Sequence, residues 1–135
     1  MVVSACSTDD TYLPALLADP MASYEADGIE LTDRDSQGYR GQRPFSQPAQ
    51  VISVFRIVDD SRAEQALDKA VRFAETNGWE MTEDISRDLN FQGSKDLVVG
   101  EGRLIVNIGP MDLREPGPER ALRMYLDFRS LLSGE

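Results

Sequence analysis

The chain has 135 residues, which gives room for one domain around a single hydrophobic core. It carries 24 acidic and 14 basic side chains, and the resulting net charge of −10 repels nucleic acid and anionic lipid. The sequence contains no histidine and one cysteine, which excludes intrachain disulfides, zinc clusters, Cys–His nucleophile pairs and histidine general bases. The apolar content is ordinary for a folded domain and does not indicate a membrane span.

The first eleven residues surround the cysteine, and Val3-Ser4-Ala5-Cys6 resembles the end of a bacterial lipobox. The resemblance implies that Cys6 carries lipid and anchors the chain to the outer side of the cytoplasmic membrane. Residues 1–11 are therefore interpreted as a lipobox remnant and a flexible tether. Only five residues precede Cys6, and a signal peptide needs an apolar region of roughly 7–15 residues. The interpretation thus requires an upstream start or a trimmed signal, and a chance match is the alternative.

Residues 12–48 are predicted to form an irregular acidic arm. Pro14 and Pro20 restrict any helix there to a short turn, and residues 29–31 are predicted to form a small edge strand. We expect three aromatic side chains to pin the arm to the body: Tyr24, Tyr39 and Phe45.

One part of the arm begins like a calcium-binding loop. Asp33, Asp35 and Gly38 occupy positions one, three and six of that pattern. Position five is Gln37, and position twelve, which requires a bidentate glutamate, is Pro44. The sequence therefore predicts a turn with solvated acids and no metal site.

The main predicted element is a helix from residue 61 to about residue 77. Ser61 and Glu64 have the spacing of a capping box, and Gly78 suits a left-handed helix end. Apolar residues, mostly alanines, recur between them at intervals of three and four, which makes one apolar stripe. We expect this stripe to lie close against a sheet, with Leu67 as its chief anchor.

Strands are predicted on both sides of the helix. The β-branched run 51–58 has apolar residues on both faces, which is typical of an inner strand. Residues 79–85 and 104–108 alternate, and the last strand has the clearest period of two. Turns are predicted at Gly93-Ser94 and at residues 100–102. In the last strand we expect these side chains to face inward: Leu122, Met124, Leu126 and Phe128.

These elements predict an α+β fold for residues 49–131, a two-layer sandwich with one main helix. The helix should pack on an antiparallel or mixed sheet of four to five strands. The second face of that sheet must be polar or covered, and the arm is the available cover.

The layout as a whole also resembles small uncharacterised lipoproteins of actinobacteria. The shared features are the lipobox-like start, the acidic arm, the helix that ends at Gly78-Trp79, and the strand Phe91–Leu97. The resemblance implies a cell-envelope location and brings no catalytic residue with it.

Carboxylates are the candidate groups for catalysis, and they do not form a predicted site. Glu83-Asp84 and Asp59-Asp60 are adjacent pairs, and neighbouring side chains on a strand point to opposite faces. We therefore predict no catalytic residue, no cofactor and a non-enzymatic protein.

Three functional hypotheses remain open. The first is a lipid-anchored envelope protein, expected to be a monomer, that acts as a small binding module and does not bind nucleic acid. The second is a cytosolic acidic protein, immunity-like or antitoxin-like, for a basic partner, and the third is a carboxylate-dependent hydrolase. We expect any binding surface at the loops Met111–Arg120 and Gly93–Gly102.

Overall fold

The computed structural model describes residues 12–38, 49–83, 90–115 and 117–128. A short helix and a 3-10 helix come first, and six strands and a longer helix follow. The elements are α1 (Tyr12–Ala18), a 3-10 helix (Pro20–Ser23), β1 (Ile29–Gln37), β2 (Gln50–Ile57), a 3-10 helix (Asp60–Arg62), α2 (Ala63–Thr76), β3 (Glu80–Glu83), β4 (Asn90–Asp96), β5 (Glu101–Pro110) and β6 (Arg120–Phe128).

The strands form one antiparallel sheet in the order β1-β2-β6-β5-β4-β3. This confirms the α+β class, the main helix and the inner position of the run 51–58. The sheet has six strands where four to five were predicted. Asn90–Asp96 form a strand across the predicted turn at Gly93-Ser94. In addition, β1 pairs with β2 over residues 29–37, beyond the predicted edge strand 29–31, although its sequence is mostly polar.

The beginning of α2 differs from the prediction. Ser61 lies in the 3-10 helix, and its backbone N–H and hydroxyl donate to Asp59 Oδ1 at 3.1 and 2.7 Å. The helix proper begins at Ala63 without a side-chain cap. The predicted capping box of Ser61 and Glu64 is therefore wrong, because Asp59 caps the preceding turn and takes the serine hydroxyl.

The end of α2 is as predicted. Gly78 has a φ of +97°, which an L side chain rarely adopts. Its N–H donates to the Glu75 carbonyl at 3.1 Å, and the Trp79 N–H donates to the Ala74 carbonyl at 3.0 Å. These two bonds satisfy carbonyls that would otherwise be left open in the last turn.

Both helices pack on the same face of the sheet, which we call the inner face. Leu67 on α2 is 2% exposed and Leu16 on α1 is fully buried. The period-two pattern of β6 is confirmed: its inward side chains are buried, and they are Leu122, Met124, Leu126 and Phe128.

Residues 12–37 contain a helix of seven residues and an edge strand of nine, where an irregular arm with a short helical turn and an edge strand of residues 29–31 was predicted. Tyr24 pins this segment as predicted, because its ring packs against Phe55 and Phe73 at centroid distances of 6.1 and 5.0 Å. Tyr39 and Phe45 lie outside the described residues.

The residues that begin like a calcium loop lie in β1. Asp33 and Asp35 pair with Val54 and Ile52 and share their face of the sheet. Arg34 lies between them on the inner face and donates to Ser53 Oγ at 3.0 Å. Both acids lie within a strand, so the predicted turn is wrong.

The predicted turn at Gly93-Ser94 is wrong, because Gly93 is a strand residue. It lies in β4 opposite Met81. A Cβ at this position would overlap Met81 Sδ and lie 3.0 Å from the Glu80 carbonyl oxygen. The glycine therefore permits a close approach of β3 and β4.

Burial of Tyr24 gives the fold a dependence on alkaline pH. Burial raises the pKa of Tyr24 above its ordinary value of 10.0, because the phenolate is poorly solvated there. The unfolded chain loses this proton first, so stability falls as the pH rises from about 10 towards the folded pKa. We expect Tyr24→Phe to match the wild type in urea denaturation at pH 7 and to be the more stable protein at pH 11. Equal losses in both proteins at pH 11 would contradict this.

Candidate functional site: the outer face of the sheet

The two loops expected to bind a partner are held by hydrogen bonds at their ends. Most of Gly93–Gly102 is strand, and residues 97–100 form the turn. In that turn the Val99 N–H donates to the Leu97 carbonyl at 2.6 Å, and Val98 between them is 96% exposed.

The second loop is held by several bonds. The Met111 N–H donates to the Glu119 carbonyl at 2.9 Å. Arg123 donates to the Pro110 and Met111 carbonyls at 3.0 and 3.2 Å. Leu113 is 70% exposed within it.

Val98 makes the first turn strained. Its φ of +71° is unfavourable for a β-branched residue, and a three-residue turn of this hand is rare. We expect Val98→Gly to raise the free energy of unfolding by about 1 kcal/mol, since relief of roughly 1–2 kcal/mol outweighs the entropy of glycine in the unfolded chain. Val99→Gly is the control and should lower it by about 0.5–1 kcal/mol. Denaturant titration of both variants tests this, and destabilisation by Val98→Gly would contradict it.

The face of the sheet opposite the helices carries an apolar patch, which we call the outer patch. Strand alternation places it there, because the intervening residues of β2, β5 and β6 are buried against the helices. Ile52 pairs with Tyr125, and Tyr125 pairs with Ile105 in the next strand. All members are half-buried, and they are Ile52, Val54, Ile105 and Tyr125.

No helix or strand among the described residues packs over the outer patch. The arm was the expected cover, but its described part lies elsewhere: α1 packs on the inner face and β1 forms the edge of the sheet. An uncovered sheet face with contiguous apolar side chains is typical of an interaction surface.

The arginines of the outer face have hydrogen-bond or ion-pair partners within the chain. Arg103 makes two bonds to the Asp127 carboxylate at 2.9 and 2.7 Å, and these bonds raise the pKa of the Arg103 guanidinium. Arg56 lies 3.8 Å from Glu30. Arg123 is held by the two loop carbonyls described above.

Two acids at the border of the patch remain uncompensated. Asp33 and Asp35 are exposed and flank Val54 and Ile52. Neither carboxylate has a cationic partner in the part of the chain that the structure describes. The outer patch is thus apolar at its centre and negative along β1.

A second cluster of polar groups lies on the inner side and is closed. The side chain of Asp19 is 1% exposed and accepts from Lys95 Nζ at 2.5 Å. It also accepts from Trp79 Nε1 at 3.1 Å and from the Met21 N–H at 3.0 Å. These bonds occupy the carboxylate, so the cluster joins α1 to β4 and the end of α2 and leaves no open ligand position.

The predicted carboxylate pair Asp59-Asp60 lies at the start of the 3-10 helix before α2. Asp59 accepts from Ser61, and these hydrogen bonds lower the pKa of Asp59, which makes it a weak base for that hydroxyl. Within the described ranges no three acidic, cysteine or histidine side chains lie together as metal ligands. Asp84, in the other predicted carboxylate pair, lies outside those ranges.

Cys6, the predicted lipidation site, also precedes the described residues. No described helix is long and apolar enough to cross a bilayer. Comparisons with protein families, curated proteins and solved structures found no match.

The sequence contained one signal for the outer patch. The run 51–58 carries apolar residues in both phases, and Ile52 and Val54 are the phase that faces away from the helices. Tyr125 and Ile105 are apolar side chains among otherwise mostly polar residues on the outward sides of β6 and β5. Their proximity to Ile52 depends on the strand order.

Proposed function

We propose that this protein is a non-enzymatic, lipid-anchored cell-envelope protein that acts as a small binding module. The observation that carries the binding role is the outer patch, which no described helix or strand covers, with its apolar centre and acidic border. The lipobox-like segment Val3-Ser4-Ala5-Cys6 supports the anchoring.

Anchoring at Cys6 would keep the domain beside the membrane. Tyr12, where α1 begins, follows Cys6 by six residues. Six residues span at most about 20 Å when fully extended. A cysteine with several acyl chains gives stable anchoring, because about two membrane signals are sufficient.

The anchoring is tested by expressing the gene with its native upstream sequence. We expect the chain in the membrane fraction and a lipid adduct on the Cys6 peptide by mass spectrometry. Cys6→Ser is the control and should release the chain from the membrane fraction. An unmodified Cys6 in the cytosolic fraction would overturn the anchoring and leave the binding role intact.

A second candidate function follows from the same border. A cytosolic acidic protein that neutralises a basic partner, as an immunity protein or antitoxin does, is favoured by Asp33, Asp35 and the net charge of −10. The fractionation experiment separates the two candidates by location.

A further inference from the structure

We propose that the outer patch binds a protein segment that combines apolar side chains with lysine or arginine. The apolar side chains contact Ile52, Tyr125 and Ile105, and the cations lie beside Asp33 and Asp35. The inference rests on the binding role proposed above and is independent of the anchoring at Cys6.

The sheet face is large enough for such a partner. Six strands about 4.8 Å apart, with β2 eight residues long, make a face of about 24 by 27 Å, on the order of 650 Å². An interface of standard size buries about 800 Å² on each partner. The face and its rim therefore accommodate one folded segment, with the aromatic Tyr125 near the centre as an anchor.

The charges of this face select the sign of the partner. Arg103 and Arg123 are hydrogen-bonded within the chain, and Arg56 forms an ion pair with Glu30 at 3.8 Å, so each arginine of this face among the described residues already has a partner in the chain. Five exposed acids of this face have no ion pair among the described residues, and they are Asp33, Asp35, Glu80, Asp96 and Glu101. Of these, Asp33 and Asp35 pair directly with Val54 and Ile52 of the outer patch. A cationic partner completes this pattern.

The same charges disfavour a second copy of the chain. In a face-to-face dimer the open acids of one copy would meet arginines that are already bonded, or the acids of the other copy. Like charges brought together in an interface cost several kcal/mol. The chain also carries a net charge of −10, which opposes self-association.

The strand order gives the partner a spacing. Asp35, Ile52 and Tyr125 form one row across three adjacent strands, so the carboxylate lies two strand spacings, about 10 Å, from the tyrosine. Beyond Ile105 the row continues to Gln92 and Thr82, which are uncharged. Within this row the only carboxylate is that of Asp35, so a cation of the partner that meets it lies on the β1 side of the apolar residues.

The test uses a displayed library of random 12-residue peptides as the probe. The whole chain is immobilised through a biotin on Cys6, its single thiol. We expect selected peptides to combine lysine or arginine with aliphatic or aromatic residues. Their Kd at low salt should rise about tenfold for Asp33→Asn/Asp35→Asn and for Ile105→Thr, and it should rise with salt in the wild type.

The matched control removes the same charge from the other side of the molecule. Glu64→Gln/Glu75→Gln changes two exposed acids on α2, and the Kd should stay within twofold of wild type. Circular dichroism and melting of each variant confirm that it is folded.

Several results would overturn the inference. Equal weakening by the β1 and α2 pairs would show attraction to net charge alone. Saturable binders without cations would refute the partner class, and the absence of any saturable binder would refute the binding role itself. A dimer in sedimentation equilibrium that dissociates on Ile105→Thr would assign the face to a second copy.

Discussion

Replacing Asp19 with alanine is expected to lower the free energy of unfolding by about 3–5 kcal/mol, because it breaks a buried ion pair from one side. The Asp19 carboxylate is 1% exposed and accepts three hydrogen bonds. Its loss leaves the Lys95 ammonium, which is 24% exposed, and the Trp79 indole N–H without their acceptor. Urea or guanidinium denaturation at pH 7 measures the change.

The matched control is an ion pair of similar length on the surface. Asp68 lies 3.0 Å from Arg72 on α2, and both side chains are more than half exposed. Asp68→Ala should cost less than about 1 kcal/mol, because water screens the pair. A loss below 1 kcal/mol for Asp19→Ala as well would show that the buried cluster does not hold α1 and the adjoining 3-10 helix on the body.

The Asp19 cluster also shows what sequence reasoning misses. Asp19 is separated from Trp79 by 60 residues and from Lys95 by 76, so no local pattern joins them. Sequence periodicity reports which face of an element is buried, but it does not report which polar side chains meet across the fold. The burial of Asp19 and its bonds to Trp79 and Lys95 could therefore not be predicted from the sequence.

Elements that depend on local sequence patterns were predicted well. The alanine stripe of α2, its end at Gly78 and the alternation of β6 each depend on residues a few positions apart. The polar strand β1 and the glycine in β4 were predicted poorly. The strand β1 forms because it pairs with β2, and a glycine is needed in β4 because Met81 lies close to it. Both features therefore depend on tertiary contacts.

The outer patch was predictable from the sequence only in part. The sequence shows that Ile52 and Val54 form a second apolar face of their strand. Such a face predicts contact with another element or partner, but it does not say which one. The strand order brings Tyr125 and Ile105 beside Ile52, and the position of α1 leaves them uncovered by described elements. Neither fact follows from a local pattern.

The second large effect concerns the helix. Leu67→Ala is expected to lower the free energy of unfolding by about 2–5 kcal/mol, because a large buried side chain is replaced by a cavity. Leu67 is 2% exposed, and α2 packs against β3, β5 and β6. The alanines beside it, Ala70 and Ala74, are fully buried and too small to fill the space.

Thermal melting followed by circular dichroism measures the effect. For a domain of this size a loss of 2–5 kcal/mol lowers the Tm by about 6–20 °C. Gln65→Ala is the control, because Gln65 is exposed on the same helix and alanine has the higher helix propensity, so its Tm should change by no more than about 2 °C. Equal melting of Leu67→Ala and wild type would mean that α2 does not pack on the sheet through its alanine stripe. The assignment of the inner face as the covered face, on which the outer patch depends, would then be wrong.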